Sequence, residues 1–411
     1  MKKIVNKSLY KSHRVIYTDP VPGYFNNIRF ACMSFVVIIF FLVPWLPWNN
    51  SQAFLFDVMT ARLYVFGLVF WPEDFSLFAI LGIFLILALF ALTVYSGRVW
   101  CGFFCPQSVW LRIVAFFSRV IEGKRNKRKR QDMNVKNSSI ILKKTAKHVI
   151  CLCFAFVTAL TFVGYFVPIL SLVCKISAFD FYSWSIFWLI FFLLLTYFNA
   201  VWFREQFCFL VCPYARLQSV MFDENTLIVA YNRKRGEKRG SRKRGIDHKS
   251  IGLGDCIDCK KCVTCCPTGI DIRDGLQMEC ISCAACVDAC NSVMESMSYD
   301  KNLIGYMREG DLTGYKKKTN SIRLLAYVLL LSILFALFVF SLYNRQLIQF
   351  NVTRSQLQLY NISNHKIENV YSFKITNKTQ ASHSYAVSII DPKFKYIGID
   401  KFVLGREETV I

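Results

Sequence analysis

The chain has 411 residues, 54% of them hydrophobic and only 19% charged, which is too apolar for a soluble protein of ordinary composition. Its formal net charge of +23 raises nucleic acid as a partner, but the basic residues sit in loops that abut apolar runs, the pattern of a membrane protein's inner loops, which argues against it. Seventeen cysteines in a secreted chain would suggest disulfides; their spacing here points to reduced, metal-binding thiols instead.

The stretch 1–27 is polar and basic for too long to be the n-region of a signal peptide, and no small-residue cleavage site follows, so an uncleaved cytoplasmic tail is expected. Apolar runs at about 28–48, 75–96, 148–170, 184–203 and 322–343 each approach the roughly 20 residues that cross hydrocarbon. Five spans place the two ends on opposite sides. The segment 53–71 is apolar but interrupted by Asp57 and Arg62, and reads as an interfacial or re-entrant helix. Basic residues crowd the loop from Arg98 to Lys147 and the cluster from Arg233 to Arg244, whereas only Arg62 and Lys175 stand in the opposite loops. The crowded loops are therefore assigned to the cytoplasm and the C-terminus to the periplasm.

A repeat follows. The segment GRVWCGFFCPQSVW (97–110), which ends one membrane hairpin, is echoed by REQFCFLVCPYARLQSVMF (204–222), which ends the next. Cys101 and Cys105, like Cys208 and Cys212, are four apart, so on a helix each pair shares one face. Pro106 and Pro213 mark where a span ends and an interfacial helix begins. Thiolates select Cu(I), zinc or iron–sulfur over hard cations, and four thiols at one depth form a candidate soft-metal site, although a buried cysteine is most often a small hydrophobe. Cys32, Cys151, Cys153 and Cys174 follow no pattern and read as packing. His148, beside Lys147, reads as an interfacial anchor rather than a ligand, and His13, His248, His365 and His383 suggest no site.

The most specific stretch is 256–290. Cys256, Cys259, Cys262 and Cys266 with Pro267 reproduce the C-x2-C-x2-C-x3-C-P run that wraps an iron–sulfur cubane, and Cys280, Cys283, Cys286 and Cys290 repeat the spacing. Three thiolates two residues apart on a tight loop cap three corners of a cluster; in two-run ferredoxins the fourth corner is reached by exchange. Cys256, Cys259, Cys262 and Cys290 are thus assigned to one [4Fe–4S] cluster, and Cys280, Cys283, Cys286 and Cys266 to a second. Cys265 is left over. Zinc ribbons use two separated pairs rather than two complete four-cysteine runs.

The basic runs KRNKRKR and RKRGEKRGSRKR read as orientation determinants that also touch anionic lipid. No Gly-rich dinucleotide loop or Walker sequence occurs, so the chain does not read as its own NAD(P)H oxidase. After residue 343, NVTRSQLQLYNIS, NVYSFKITN and SYAVSIID are short β-type runs with turn residues between them. An immunoglobulin-like sandwich takes about 100 residues, so this tail looks incomplete, cut short or completed by a partner. The expected architecture is a polytopic α-helical membrane protein: a tail (1–27), a four-span region (28–222), a basic linker and twin-cluster ferredoxin-like domain (223–321), a fifth span (322–343) and an immunoglobulin-like β segment (344–411).

On LVPWLPWNN, LYVFGLVFWPEDF, SGRVWCGFFCPQSVW, TFVGYFVP, CCPTGIDIRDGLQMECISCAACVDACNSVM and the C-terminal β segment, in that order and over nearly the whole length, the chain resembles the CcoG family, also called FixG or RdxA. The resemblance implies a bacterial inner-membrane protein with two cubane clusters, acting in maturation of the cbb3-type cytochrome c oxidase by reducing Cu(II) to Cu(I). It implies that the cluster cysteines carry electrons and that Cys101, Cys105, Cys208 and Cys212 handle copper. Its implied partners are copper chaperones or oxidase assembly factors; an electron donor and pairing with a second copy of the chain are expected beside them. Cys265 and the short tail depart from the pattern. Two other readings stand beside the reductase: a copper-binding assembly scaffold or carrier, and a NapH-type relay between quinol and a soluble partner.

Overall fold

The computed structural model describes residues 16–49, 51–133, 137–178, 180, 183–223, 225–245, 250, 252–308, 310, 312, 322–354, 360–363, 366–379, 381–391, 393–399 and 401–410. Most of the N-terminal tail, with His13, and also His248 and His365, lie outside the described residues.

Helix α1 (Tyr24–Leu42) has no internal Gly or Pro and ends in a 3-10 turn at Pro44. Strands β1 (Pro47–Trp48), β2 (Ser51–Gln52), β3 (Phe54–Asp57), β4 (Arg62–Val65) and β5 (Leu68–Phe70) follow. The segment 53–71 is therefore a β meander, not the expected interfacial helix. Asp57 explains it: its Oδ1 accepts from Met59 N and Thr60 N at 3.0 and 3.3 Å, starting a turn that sets Asp57 opposite Arg62 across the hairpin. The two charges that interrupt the apolar run are thus the ends of a turn.

Helix α2 (Phe75–Ser96) stops at Gly97. Then come α3 (Val99–Phe103), α4 (Pro106–Glu122), α5 (Arg125–Met133), α6 (Ser138–Val163), α7 (Ile169–Ser177) and α8 (Trp184–Tyr197), which runs on as a π-helix over Phe198–Phe203. A second π-turn, Phe207–Val211, leads into α9 (Pro213–Met221). Beyond it lie β6 (Ile228–Tyr231), α10 (Arg233–Gly236), α11 (Lys261–Thr264), α12 (Ala285–Met297), β7 (Ile304–Met307) and α13 (Ile322–Tyr343). The tail holds β8 (Ile348–Arg354), β9 (Asn361–Ser363), β10 (Lys366–Glu368), β11 (Tyr371–Asn377), β12 (His383–Ala386), β13 (Lys401–Leu404) and β14 (Thr409–Val410).

Among the described residues six stretches are long and apolar enough to cross a membrane, one more than the five runs expected, and the chain is a multi-pass membrane protein. The sixth, Val99–Glu122, contains the first C-x3-C-P motif. It breaks at Phe104–Cys105 into α3 and α4, and α4 carries Arg112, Arg119 and Glu122. Its amphipathic make-up hid it from a search for continuous apolar runs.

The chain divides into two compact units, each discontinuous in sequence. One comprises Met1–Ile39, Ile86–Ala159 and Ile190–Leu330. Its core joins the antiparallel pair β6 and β7, in register from Ile228↔Met307 to Tyr231↔Ile304, to α12 through Val229, Val287, Val293, Met294, Leu303 and Ile304. Asp288 of α12 caps α1, its carboxylate accepting from Phe25 N at 3.2 Å and Asn26 N at 2.7 Å. Gly23 makes the approach possible, since a Cβ there would lie 2.4 Å from Asp288 Cγ.

The other unit comprises Phe40–Leu85, Leu160–Leu189 and Leu331–Ile411. In the tail β11 lies between β14 and β8, and β12 pairs with β13. Ion pairs tie this tail to the meander region. Arg345 meets Asp74 at 2.7 Å with both side chains buried, Arg62 meets Glu407 at 2.9 Å, and Lys378 meets Glu73 at 3.4 Å.

Candidate metal centres

Cys256, Cys259, Cys262 and Cys290 line one pocket, together with Tyr231, Met294 and Ile304 and with Lys260, Lys261 and Arg273. Cys266, Cys280, Cys283 and Cys286 line another, with Val229, Ile270 and Ile281 around them. The structure thus brings Cys290 to the first run and Cys266 to the second, while Cys262 also reaches the wall of the second cavity.

Both loops have the same wrap. Asp258 and Ser282, each two residues after the first cysteine, have φ of 53° and 50°, and Lys260 and Ala284, each following the second cysteine, both have φ of 57°. Left-handed backbone at four non-glycine residues costs energy and persists where a site demands it. It turns successive thiols inward on both loops.

Among the described residues no three His, Cys, Asp or Glu side chains converge as single-ion ligands. Four thiols spread around an apolar cavity fit a cluster several ångströms across better than one ion. Burial pushes the thiols of Cys262, Cys280 and Cys290 up to about 12, so they are protonated until a metal displaces the proton. Cys265 lines neither cavity. It is buried against Cys283, Ala285 and Ala289, and its Sγ donates to Cys262 O at 3.4 Å.

The C-x3-C-P cysteines take a geometry the spacing did not foretell. Cys101 lies in α3, but Cys105 is the N-cap of α4 with φ −59° and ψ 125°; Cys208 lies in the π-turn, but Cys212 is the N-cap of α9 with φ −67° and ψ 112°. Neither pair shares a helical face. The cause is the proline after each motif, which opens the next helix and forces the preceding residue into extended backbone. The thiols still share one neighbourhood: Cys101 lies within electrostatic range of Cys105, Cys208 and Cys212. Burial, then Cys105 and Cys212, push the Cys208 thiol up to about 12.

Polar residues that composition did not single out support these thiols. Gln218, fully buried, accepts from Cys101 Sγ at 3.4 Å and donates to Thr93 Oγ1 at 3.3 Å, which meets Tyr214 OH at 2.7 Å. Ser108 Oγ donates to Cys101 O at 2.6 Å, and Gln107 Nε2 donates to Asn199 Oδ1 at 3.1 Å. The Gln-Ser-Val repeated after both motifs was the available signal. Of the unpatterned cysteines, Cys151 packs with Val114 and Ala200, whereas Cys153 and Cys174 are exposed, so packing does not describe those two. His148 Nδ1 meets Tyr197 OH at 2.8 Å.

The first motif is seated on the second cysteine loop. A Cβ at Gly102 would lie 2.7 Å from Ile281 O and 2.9 Å from Cys283 Cα, so only glycine permits the contact. Arg98, also buried, donates from Nη1 to Met278 O and from Nη2 to Ala215 O, joining the cysteine loop to α9.

Comparison with known proteins agrees with this geometry. A 4Fe-4S dicluster domain matches residues 203–309 and a 4Fe-4S binding domain matches 78–125. A third family model, described as "IG-like fold at C-terminal of FixG, putative oxidoreductase", matches 338–410. Protein RdxB of Cereibacter sphaeroides is 33% identical over 401 residues, 93% of this chain and 83% of that one. The chain belongs to the FixG and RdxA family. Nitrogen fixation protein FixG of Rhizobium meliloti is 36% identical over 312 residues, 75% of this chain and 60% of FixG. Protein RdxA of C. sphaeroides is 33% identical over 314 residues, 75% of this chain and 65% of RdxA. The matched region thus spans less than two thirds of FixG and of RdxA. No solved structure matches. As a FixG-family member the chain is a membrane-associated iron–sulfur protein.

Proposed function

We propose that this chain is a membrane cupric reductase that serves assembly of a copper-containing oxidase of the cbb3 type. The contact of Gly102 with the backbone of Ile281 and Cys283 carries the reading, because it sets the first thiol pair directly against the second cysteine loop. Cys256, Cys259, Cys262 and Cys290 would hold one [4Fe–4S] cluster, and Cys266, Cys280, Cys283 and Cys286 the other. Bound there, the clusters supply electrons one at a time. Cys101, Cys105, Cys208 and Cys212 would offer the substrate no more than two thiols at a time: each Cu(II) gains one electron, drawn from a low-potential one-electron donor, and Cu(I) remains on a thiolate pair, which suits it. The basic loops around residues 98–147 and 233–244 support a cytoplasmic position for the cysteine loops and a periplasmic one for the tail.

One observation favours the quinol relay. His148 and Tyr197 are hydrogen-bonded close in sequence to the Lys147–Glu122 pair at 2.6 Å, and quinol oxidation needs such proton acceptors. The test is copper-dependent cluster oxidation per iron-replete molecule. Changing Cys101 and Cys105 together to Ser, and separately Cys208 and Cys212, should leave iron content intact and lower that oxidation. Parental behaviour in both double variants removes the copper site; quinol-dependent reduction without copper selects the relay.

A further inference from the structure

Arg98 is 4% exposed, and among the described residues its only bonds are to the two carbonyls named above. Its Nε is buried without a hydrogen-bond partner. A guanidinium taken out of water and given only neutral carbonyls is costly unless negative charge faces it. Its neighbours can supply that charge: Cys280 of the second cysteine loop and Cys101 and Cys208 of the thiol pairs all lie within its electrostatic range. Arg98 comes just ahead of α3, and Gly97 at φ +61° packs under it against Leu227 O, so the guanidinium is delivered by a fixed turn.

We propose that Arg98, held by Met278 O and Ala215 O between the second cysteine loop and the thiol pairs, is a redox-tuning residue whose fixed charge raises the reduction potential of the cluster at Cys266, Cys280, Cys283 and Cys286. The inference rests on the reading that two clusters are bound, but not on copper. A thiolate-ligated cluster gains one negative charge on reduction, and a nearby cation that cannot be neutralised favours that state. Arg98 bonds to no ligand sulfur, so it is a positioning residue and not a catalytic one. Among the described residues the cations lining the first cavity are exposed, Lys260 and Lys261, or already paired, Arg273 with Asp271 and Asp258. Electron flow toward the thiol pairs follows from that difference.

The test is an anaerobic redox titration of the full chain, followed by electron paramagnetic resonance without copper, with the second cluster identified as the signal lost in Cys280→Ser. In Arg98→Gln the reduced-to-oxidised ratio of that cluster at a fixed potential should fall about tenfold, ~59 mV for one electron, with the other signal unmoved. Arg98→Lys, which keeps the charge, should match the parent. No shift in the Gln variant, an equal shift of both signals, or a Lys variant that behaves like Gln overturns the proposal. Should Arg98→Gln lose iron, the Lys variant decides: retained iron and potential support the charge, whereas the same loss assigns Arg98 a purely structural clamp and overturns it. A chain that passes this test and still ignores Cu(II) refutes the reductase reading alone.

Discussion

Gly102 and Cys283 touch backbone to backbone, with room for a hydrogen but not for a methyl group: a Cβ on Gly102 would come within 2.9 Å of Cys283 Cα. Both neighbours of that Cβ are main chain, so nothing flexible can yield. Gly102→Val should therefore push the loop 281–283 off α3 and lower iron from about eight toward about four per chain, the count for one remaining cubane. Gly102→Ala should show the same loss in milder form. Full iron and an unaltered cluster spectrum in the Val variant would show that the loop does not rest on this helix.

Adjacent cysteines should behave oppositely. Cys266 lines the second cavity while Cys265 points into an apolar cluster with Ala285 and Ala289. Cys265→Ser is expected to keep about eight iron atoms per chain and Cys266→Ser to lose or damage one cubane. Iron analysis of the anaerobically purified variants checks this, and equal damage from both would put the ligand register elsewhere.

The first cysteine loop carries a pH-dependent support. Arg273 donates to Asp271 from Nε at 2.8 Å and from Nη2 at 2.6 Å, and these bonds hold the carboxyl below the usual aspartate range. A depressed folded-state pKa contributes stability above the unfolded value near about 3.9, lost as pH falls through the folded one. Asp271→Asn should melt earlier at pH 7, by about 1–2 kcal/mol, and the gap to the parent should narrow below about pH 4. Thermal midpoints of both proteins across that range give the comparison; a constant gap would mean the pair is not linked to stability.

In the tail, Arg345 is the residue to remove. Its guanidinium is paired with Asp74, donates to Val69 O and lies 4.4 Å above the Phe70 ring. Breaking a buried pair from one side leaves the other charge stranded, so Arg345→Met should destabilise the tail by about 3–5 kcal/mol, and adding Asp74→Asn should recover part of it. Protease sensitivity of residues after 343 reports the effect. No recovery in the double variant would assign the loss to packing on Phe70.

Sides of the membrane are tested by fusion. A reporter placed after Tyr343 should be active only in the periplasm and one near Gly245 only in the cytoplasm, because the loop charges set both. The reverse pattern would overturn this assignment of sides and is the result expected if Val99–Glu122 crosses as a sixth span with the N-terminus inside; activity of both on one side would mean that Ile322–Tyr343 does not cross.

Spacing made the cysteine loops legible, since a fixed interval on a tight turn leaves few geometries, and unbroken apolar runs made five spans legible. Elsewhere the pattern misled for identifiable reasons. Asp57 and Arg62 looked like charges interrupting a helix because a turn closed by an aspartate side chain has no periodicity. Cys105 and Cys212 looked helical because four-residue spacing was weighed more heavily than the proline that follows each. Arg98 and Thr93 were invisible because each acts across a distance in sequence that no local pattern encodes, whereas Gln218 was marked only by the repeated Gln-Ser-Val.

The carboxylate that caps α1 is translated 263 residues after the amide it serves. While the ribosome is still making the rest of the chain, the start of the first membrane helix has no partner for its free amides. It gains one only when α12, which carries Cys286 and Cys290, has folded. The entry of the chain into its first membrane helix is thus completed by the same short helix that carries two of the cysteines facing the candidate clusters.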